Sequence, residues 1–279
     1  MNIYIKSYLK FLINKSSSRW KMKLSVKELD IQFNQLHDES EENSSFNIFS
    51  RDPNVYVVLP AYNESEVIED VIEELKEGNF AIIVVDDGST DNTYKIAKDS
   101  LKNYYAFIYR HSINRGVGAA LKTGIEVALQ KNADLIVTID ADGQHDPNDI
   151  DSLLKPLIND EADLVNGTRN FDEMPVSKKL ANQIMNVITW IFYGIHVKDS
   201  QTGFKAFNRK AAKVFEIHSR GFGVISEIMG EVKKNDLRLK EVPIKTIYTD
   251  YSMTKGTNLK VGLKILFKLI INLFRSVLS

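Results

Sequence analysis

Leu135-Ile136-Val137-Thr138-Ile139-Asp140-Ala141-Asp142-Gly143-Gln144-His145 is the stretch from which the fold can be read. Its first five residues are a short, mostly apolar run, the pattern of a buried strand. Two carboxylates and an amide then arrive at alternate positions, in what the sequence alone presents as an exposed loop. Carboxylates this close repel one another unless a cation sits between them. Ligands that are all oxygen suit a hard divalent ion such as Mg²⁺ or Mn²⁺, usually held by one or two carboxylates together with phosphate oxygens. A solvated acidic turn is the plainer reading, and the surroundings must decide between the two.

On either side of this stretch, strands and helices alternate. Apolar runs predict strands over 55–59, 81–85, 105–109 and 135–139. Between them the spacing predicts helices over 65–76, 90–102 and 117–131, the first with Ser65 as its N-cap. Strands this apolar, joined by helices, imply an α/β fold with a mostly parallel sheet covered on both faces. Such sheets bind ligands beyond the carboxyl ends of their strands. Four loops with suggestive chemistry all fall there: Pro60-Ala61-Tyr62-Asn63-Glu64, Asp86-Asp87-Gly88-Ser89, Asn114-Arg115-Gly116, and 140–145.

The whole chain sets outer limits. Its 279 residues allow one large α/β domain with appendages. The net charge of −1 gives no global field for nucleic acid. With no cysteine there is no disulfide, thiol nucleophile or thiolate zinc site. Three segments follow: an extension over 1–53, a core domain over 54–255 and an amphipathic helix over 256–279. No apolar run is long enough to predict a transmembrane helix. In the last segment Lys260, Lys264, Lys268, Asn272 and Arg275 form one polar stripe beside a broad apolar face. That pattern predicts a helix lying in a membrane interface, or alternatively one docked on the core. Residues 1–23 carry six Lys or Arg and no acid, and the five basic residues after Asp250 likewise have no acidic neighbour. Both ends therefore favour an anionic partner such as a membrane surface.

The ordered loop motifs resemble the family 2 glycosyltransferases with the GT-A fold. Asn166-Gly167-Thr168-Arg169, Asp199-Ser200-Gln201-Thr202-Gly203-Phe204 and Glu241-Val242-Pro243-Ile244 resemble, more narrowly, the dolichol-phosphate mannosyltransferase and polyprenyl-phosphate glycosyltransferase branch. The resemblance covers roughly 54–256. It implies a metal-dependent, inverting transfer of a hexose from a nucleoside-diphosphate sugar to a polyprenyl phosphate. It places Pro60, Tyr62, Glu64, Val85 and Asp87 around the nucleotide. It places Asp140, Ala141 and Asp142 at the diphosphate and metal, Gln144 as a third metal ligand, and Lys255 on a loop closing over the diphosphate. Arg169 resembles the arginine that meets phosphate near the sugar. Thr249 stands where the eukaryotic enzymes have an arginine, which removes one expected phosphate partner. The branch acts on membranes, which implies a peripheral position on the cytoplasmic face of one.

The residues carry chemistry of their own. A hydroxyl acceptor needs a carboxylate to take its proton, whereas a lipid phosphate is already an anion and needs cations to hold it. Arg169, Lys178 and Lys179 are the candidates for that role, with Gln201, and Asp199 beside it, in a polar loop that borders the acceptor or the sugar. Lys178 and Lys179 also fit a solvated helix start. Glu227 fits a sugar contact or a helix N-terminal charge. His145 fits a support for Asp142 or ordinary polar surface. Competing readings are a GT-A transferase acting on a sugar hydroxyl, a non-catalytic nucleotide-sugar-binding module, and a dinucleotide-dependent oxidoreductase. The last is weak: Gly116-Val117-Gly118 follows the third strand, and Leu121 holds the third glycine position.

Overall fold

The structure is a computed structural model and describes residues 53–247, apart from 79, 173, 220 and 222. Seven strands make one sheet: β1 (Val55–Ala61), β2 (Ala81–Asp86), β3 (Ala106–Arg110), β4 (Leu135–Thr138), β5 (Leu164–Arg169), β6 (Lys205–Asn208) and β7 (Leu239–Ile244). The helices are α1 (Ile68–Glu77), α2 (Thr93–Ser100), α3 (Val117–Gln130), α4 (Ile150–Ile158), α5 (Val176–Tyr193), α6 (Arg209–Val214) and α7 (Gly223–Lys234). A 3-10 turn, Pro147–Asp149, precedes α4.

The sheet order is β3-β2-β1-β4-β6-β5-β7. β1, β2, β3 and β4 pair in parallel, as the alternation of strands and helices requires. β2 is buried along its whole length, which is why it reads as an unbroken apolar run. Alternate residues of β1 feed two cores. Tyr56 and Val58 pack with α3, α6 and α7 on one face, while Val57 and Leu59 pack with α1, α2 and α4 on the other. Helices therefore cover both faces.

Two expectations are corrected. The sequence pairs the apolar segment 163–165 with the fourth strand, but Leu164–Arg169 forms β5, which does not lie beside β4; the antiparallel β6 hydrogen-bonds to both and separates them. α1 begins at Ile68, and Ser65 is not its cap. The carbonyl of Glu64 accepts from the N–H groups of Val67 and Ile68, so a turn occupies the first residues of the expected helix. The Ser65 N–H donates to Asp91 instead (3.3 Å). The segments 1–52 and 256–279, and with them the domain limits set there, lie outside the described residues. So do Thr249 and Lys255. Among the described residues no helix is long and apolar enough to cross a membrane.

α3 sits close on β1 because Gly124 faces Val58. A Cβ there would overlap the Val58 side chain. Gly124→Ala should therefore destabilise the protein by about 1–3 kcal/mol through overpacking, against its better helix propensity. Urea titration checks this, and Val58→Ala in the same chain should restore most of the loss. If Gly124→Ala alone stabilises, the close approach does not constrain the fold.

Candidate active site

The parallel strands end at one edge of the sheet, and a cleft of about 460 Å³ opens there. The first two loops on that edge are stitched together. The Asn63 N–H donates to Ser89 Oγ (3.0 Å), the Thr90 N–H to Asn63 Oδ1 (2.9 Å) and the Glu64 N–H to Thr93 Oγ1 (2.8 Å). This network fixes Pro60, Tyr62 and Glu64 on the cleft wall. Asp87 also reaches the cleft, but its carboxylate works inward. It accepts from the Arg115 N–H (3.0 Å) and the Gly116 N–H (2.6 Å), and it pairs with His111 Nδ1 (2.6 Å). Asp87 thereby fixes the entry to α3. Val85 is fully buried within β2 and is not among the lining residues.

Asp140, Ala141, Asp142 and Gln144 all line the cleft. The loop is not the exposed one expected: Ala141, Gln144 and His145 are buried and both aspartates are half-buried. The reason lies beneath it. His145 turns inward against the Phe204 ring and sets its Nε2 3.6 Å from Asp140 Oδ2, so it accompanies Asp140 and not Asp142. Gly203 passes directly under Asp140, where a Cβ would collide with the carboxylate. The two carboxyls are pushed apart in acidity. Burial would raise Asp140, yet His145, Arg169 and Lys205 hold it below the usual range. Burial, followed by the charge of Asp140, raises Asp142. Gln144 donates to Asp142 through its backbone N–H (3.1 Å) and its side-chain amide (2.5 Å).

The opposite wall comes from β5, α5 and the loop before β6. Arg169, Lys178 and Gln201 line it. Burial lowers the Lys178 ammonium, with Asp142 opposing. Lys179 is not a lining residue; its Nζ stands 3.7 Å from Asp172 near the start of α5. Arg169 is a half-buried ion-pair residue as well as a cleft residue. Its Nε and Nη2 donate to the two oxygens of Asp199 at 2.7 and 2.9 Å. Asp199 is fully buried and does not line the cleft. It also accepts from Asn182 Nδ2 (2.8 Å) and the Gln201 N–H (3.2 Å). Glu227 turns away to accept from the N–H groups of His218 and Ser219.

Sequence reasoning passed over Lys205. It is completely buried, and its ammonium donates to Asn166 Oδ1 (2.5 Å) and the Thr202 carbonyl (2.7 Å). Burial lowers it to about 7 despite the attraction of Asp199 and Asp140. The available signal was a lysine set between Phe204 and Ala206-Phe207, in a strand otherwise apolar at its start.

The chain matches glycosyl transferase family 2 over residues 56–215. It belongs to that family. The domain is thus a glycosyltransferase, and its sheet is the GT-A fold. It is 41% identical to the UDP-N-acetylglucosamine–dolichyl-phosphate N-acetylglucosaminyltransferase of Methanococcus voltae, across 77% of this chain and 94% of that one. It is 31% identical to the dolichyl-phosphate beta-glucosyltransferase of Saccharomyces cerevisiae, across 75% and 72%. Among solved structures it superposes on glucosyl-3-phosphoglycerate synthase from Mycobacterium tuberculosis, in complex with Mn²⁺, UDP and phosphoglyceric acid, with a TM-score of 0.58. The identity there is 21%, across 78% of each chain, so the match speaks for the fold.

The Arg169–Asp199 pair in this glycosyltransferase gives a prediction with a sign. Burial disfavours the Asp199 carboxylate, but Arg169 outweighs it and keeps the carboxyl below the usual range. Its contribution is present above the ordinary carboxylate value of roughly 3.9 and is lost as pH falls. Arg169→Met leaves a buried charge without its partner and should cost about 3–5 kcal/mol at pH 7. Without the guanidinium, burial raises the Asp199 carboxyl, so the variant should recover part of that loss at pH 5. Denaturant titrations at both pH values check it. A gap that does not change with pH would show that Asp199 is not the partner that matters.

Proposed function

We propose that this glycosyltransferase moves one hexose-class sugar from a nucleoside-diphosphate donor to a polyprenyl phosphate, with inversion at the anomeric carbon. The observation that carries the reading is that one cleft holds both requirements. Pro60, Tyr62, Glu64, Asp87, Asp140, Ala141 and Asp142 form one wall, and Arg169, Lys178 and Gln201 form the other. The dolichyl-phosphate acceptors in the names of the relatives favour a lipid phosphate over a sugar hydroxyl. UDP-N-acetylglucosamine, named for the archaeal relative, is the first donor to test.

The first wall receives the nucleotide, with Asp140, Ala141 and Asp142 at its diphosphate. The pair Asp140 and Asp142 fits a divalent cation. Both carboxylates face the cleft, and the repulsion between them, which adds to burial in raising Asp142, is of the kind a cation relieves. Among the described residues no third acidic or histidine side chain completes a metal cluster, which leaves coordination to diphosphate oxygens, water and the amide of Gln144. Mg²⁺ or Mn²⁺ bound there would neutralise charge on the leaving diphosphate. Lys255, on a segment outside the described residues, is proposed to close over that diphosphate.

The second wall receives the acceptor. A phosphate monoester is already anionic at neutral pH, so Lys178 and Arg169 need only position it and offset its charge. Lowering of the Lys178 ammonium by burial makes an arriving anion its natural complement. Asp199 fixes the plane of the Arg169 guanidinium at the cleft wall. Lys179 does not line this cleft and stands beside Asp172. The segment 256–279 is proposed to hold the protein at the cytoplasmic surface of a membrane.

Two measurements test the proposal. Incubation with labelled nucleotide sugars and short polyprenyl phosphates, followed by organic extraction, should move label into the lipid phase as a β-linked product from an α-linked donor. Label that never enters the lipid, or an α-linked product, refutes it. Asp142→Asn should keep the fold and lower turnover by more than about 10². It should also abolish the Mn²⁺-dependent part of UDP binding in calorimetry. If neither EDTA nor this substitution changes turnover, the carboxylate pair is not a metal site.

A further inference from the structure

The order of the strands sets a ruler along the cleft. The loops after β4, β1, β2 and β3 follow one another along the sheet edge in that sequence. At about 4.8 Å per strand, the loop after β3 stands roughly 14 Å from the carboxylates after β4. That is the span from the phosphates of an extended nucleoside diphosphate to the pairing edge of its base. A donor with its diphosphate at Asp140 and Asp142 therefore carries its base toward the loops after β2 and β3.

The carboxylate at that end is already spent. Asp87 is buried, and its oxygens take the Arg115 and Gly116 N–H groups and His111 Nδ1. Arg115 does not line the cleft, but Asn114 does. The Asn114 side chain is exposed and makes no hydrogen bond among the described residues. Its backbone is nonetheless held. On one side the His111 N–H donates to the Asp86 carbonyl (2.8 Å), and on the other Asp87 takes its two N–H groups. Between these points residues 113 and 114 lie against Gly88, which adopts a φ of 72°; a Cβ there would overlap the Ile113 and Asn114 backbone. An unpaired carboxamide on a fixed backbone does nothing for the fold and is placed to meet a ligand.

We propose that Asn114 reads the base of the donor and that this base is uracil. A carboxamide carries an acceptor beside a donor. Uracil presents its N3–H beside a carbonyl, so Asn114 Oδ1 accepts from N3–H while Nδ2 donates to that carbonyl. The contact replaces one that Asp87, buried and turned inward, does not make. The inference rests on the nucleoside-diphosphate donor proposed above, but it is tested without an acceptor.

Calorimetry with Mn²⁺ and UDP, GDP or N3-methyl-UDP supplies the test. The unaltered protein should bind UDP at least about tenfold more tightly than N3-methyl-UDP, the scale of one bidentate base contact. Asn114→Ala should weaken UDP to a similar extent and leave N3-methyl-UDP nearly unchanged, so the penalty for the methyl group disappears. Asn114→Asp should weaken UDP further, because a carboxylate repels the uracil carbonyl. It should also move the balance toward GDP, whose N1–H and N2–H groups both donate to a carboxylate. Thermal unfolding of the two variants should match that of the unaltered protein. A methyl penalty that survives Asn114→Ala overturns the assignment, because another group then reads N3–H. Equal binding of UDP and N3-methyl-UDP by the unaltered protein overturns it as well. A methyl penalty lost in Asn114→Ala, with no label entering the lipid in the extraction assay, would leave the base contact standing and refute the proposed function. Transfer into lipid with the penalty intact in Asn114→Ala would do the reverse, and failure to bind either nucleotide would refute both.

Discussion

The acceptor side of the cleft depends on one buried carboxylate. Asp199 is removed from solvent, and by itself that would be costly. The cost is offset by drawing in partners from three parts of the chain: Arg169 at the end of β5, Asn182 in α5, and the Gln201 N–H in its own loop. Its backbone carbonyl accepts from Asn166, which in turn accepts from Lys205. Thus β5, β6 and α5 are fastened at one point, just below the cleft. The loop that leaves Asp199 continues through Thr202 and Gly203, and Gly203 is the floor beneath Asp140. The position of Asp140, on the first wall, is therefore linked to the carboxylate that orders the second.

The two walls are built by different physics. On the first, neighbouring loops of a parallel sheet exchange short side-chain-to-backbone bonds, and the geometry is local to β1, β2 and the start of α3. On the second, the sheet is interrupted by the antiparallel β6, and long-range charge pairs do the positioning. Buried ion pairs contribute little net stability but are very costly to break from one side. Such a wall holds a single arrangement of its cationic groups, which is what the recognition of a small anion requires.

This difference explains what the sequence disclosed. The parallel half was legible because apolar runs alternating with helices leave few alternatives, and the residues 140–145 stood out by their carboxylates. The register of the second half was not legible. A short strand such as β6, with four residues, has too little periodicity to show its direction or its neighbours. The N-cap at Ser65 was misread for a related reason: a serine before a helical pattern fits a cap, and only the fold shows that a turn closed on the Glu64 carbonyl moves the helix start to Ile68. Arg169 and Lys178 were named from residue type, Arg169 also from the family resemblance, and both line the cleft. That Arg169 spends two N–H groups on Asp199 could not be inferred, because the partners are 30 residues apart. Lys205 escaped for the opposite reason. A lysine is read as surface by default, and its burial follows only from the Asn166 and Thr202 oxygens brought to it by β5 and the preceding loop.

α5 joins these arguments. One side of it must be polar enough to place Lys178 and Asn182 at the cleft, and it meets that demand with residues spaced by three to four positions. The other side is under no such demand from the fold, because no described strand or helix needs Val176, Leu180, Val187, Trp190 and Ile191 for its core. Were water their only neighbour, polar residues would serve there at no cost to packing. Instead the sequence keeps apolar side chains along the outer arc and keeps acid out of residues 176–198.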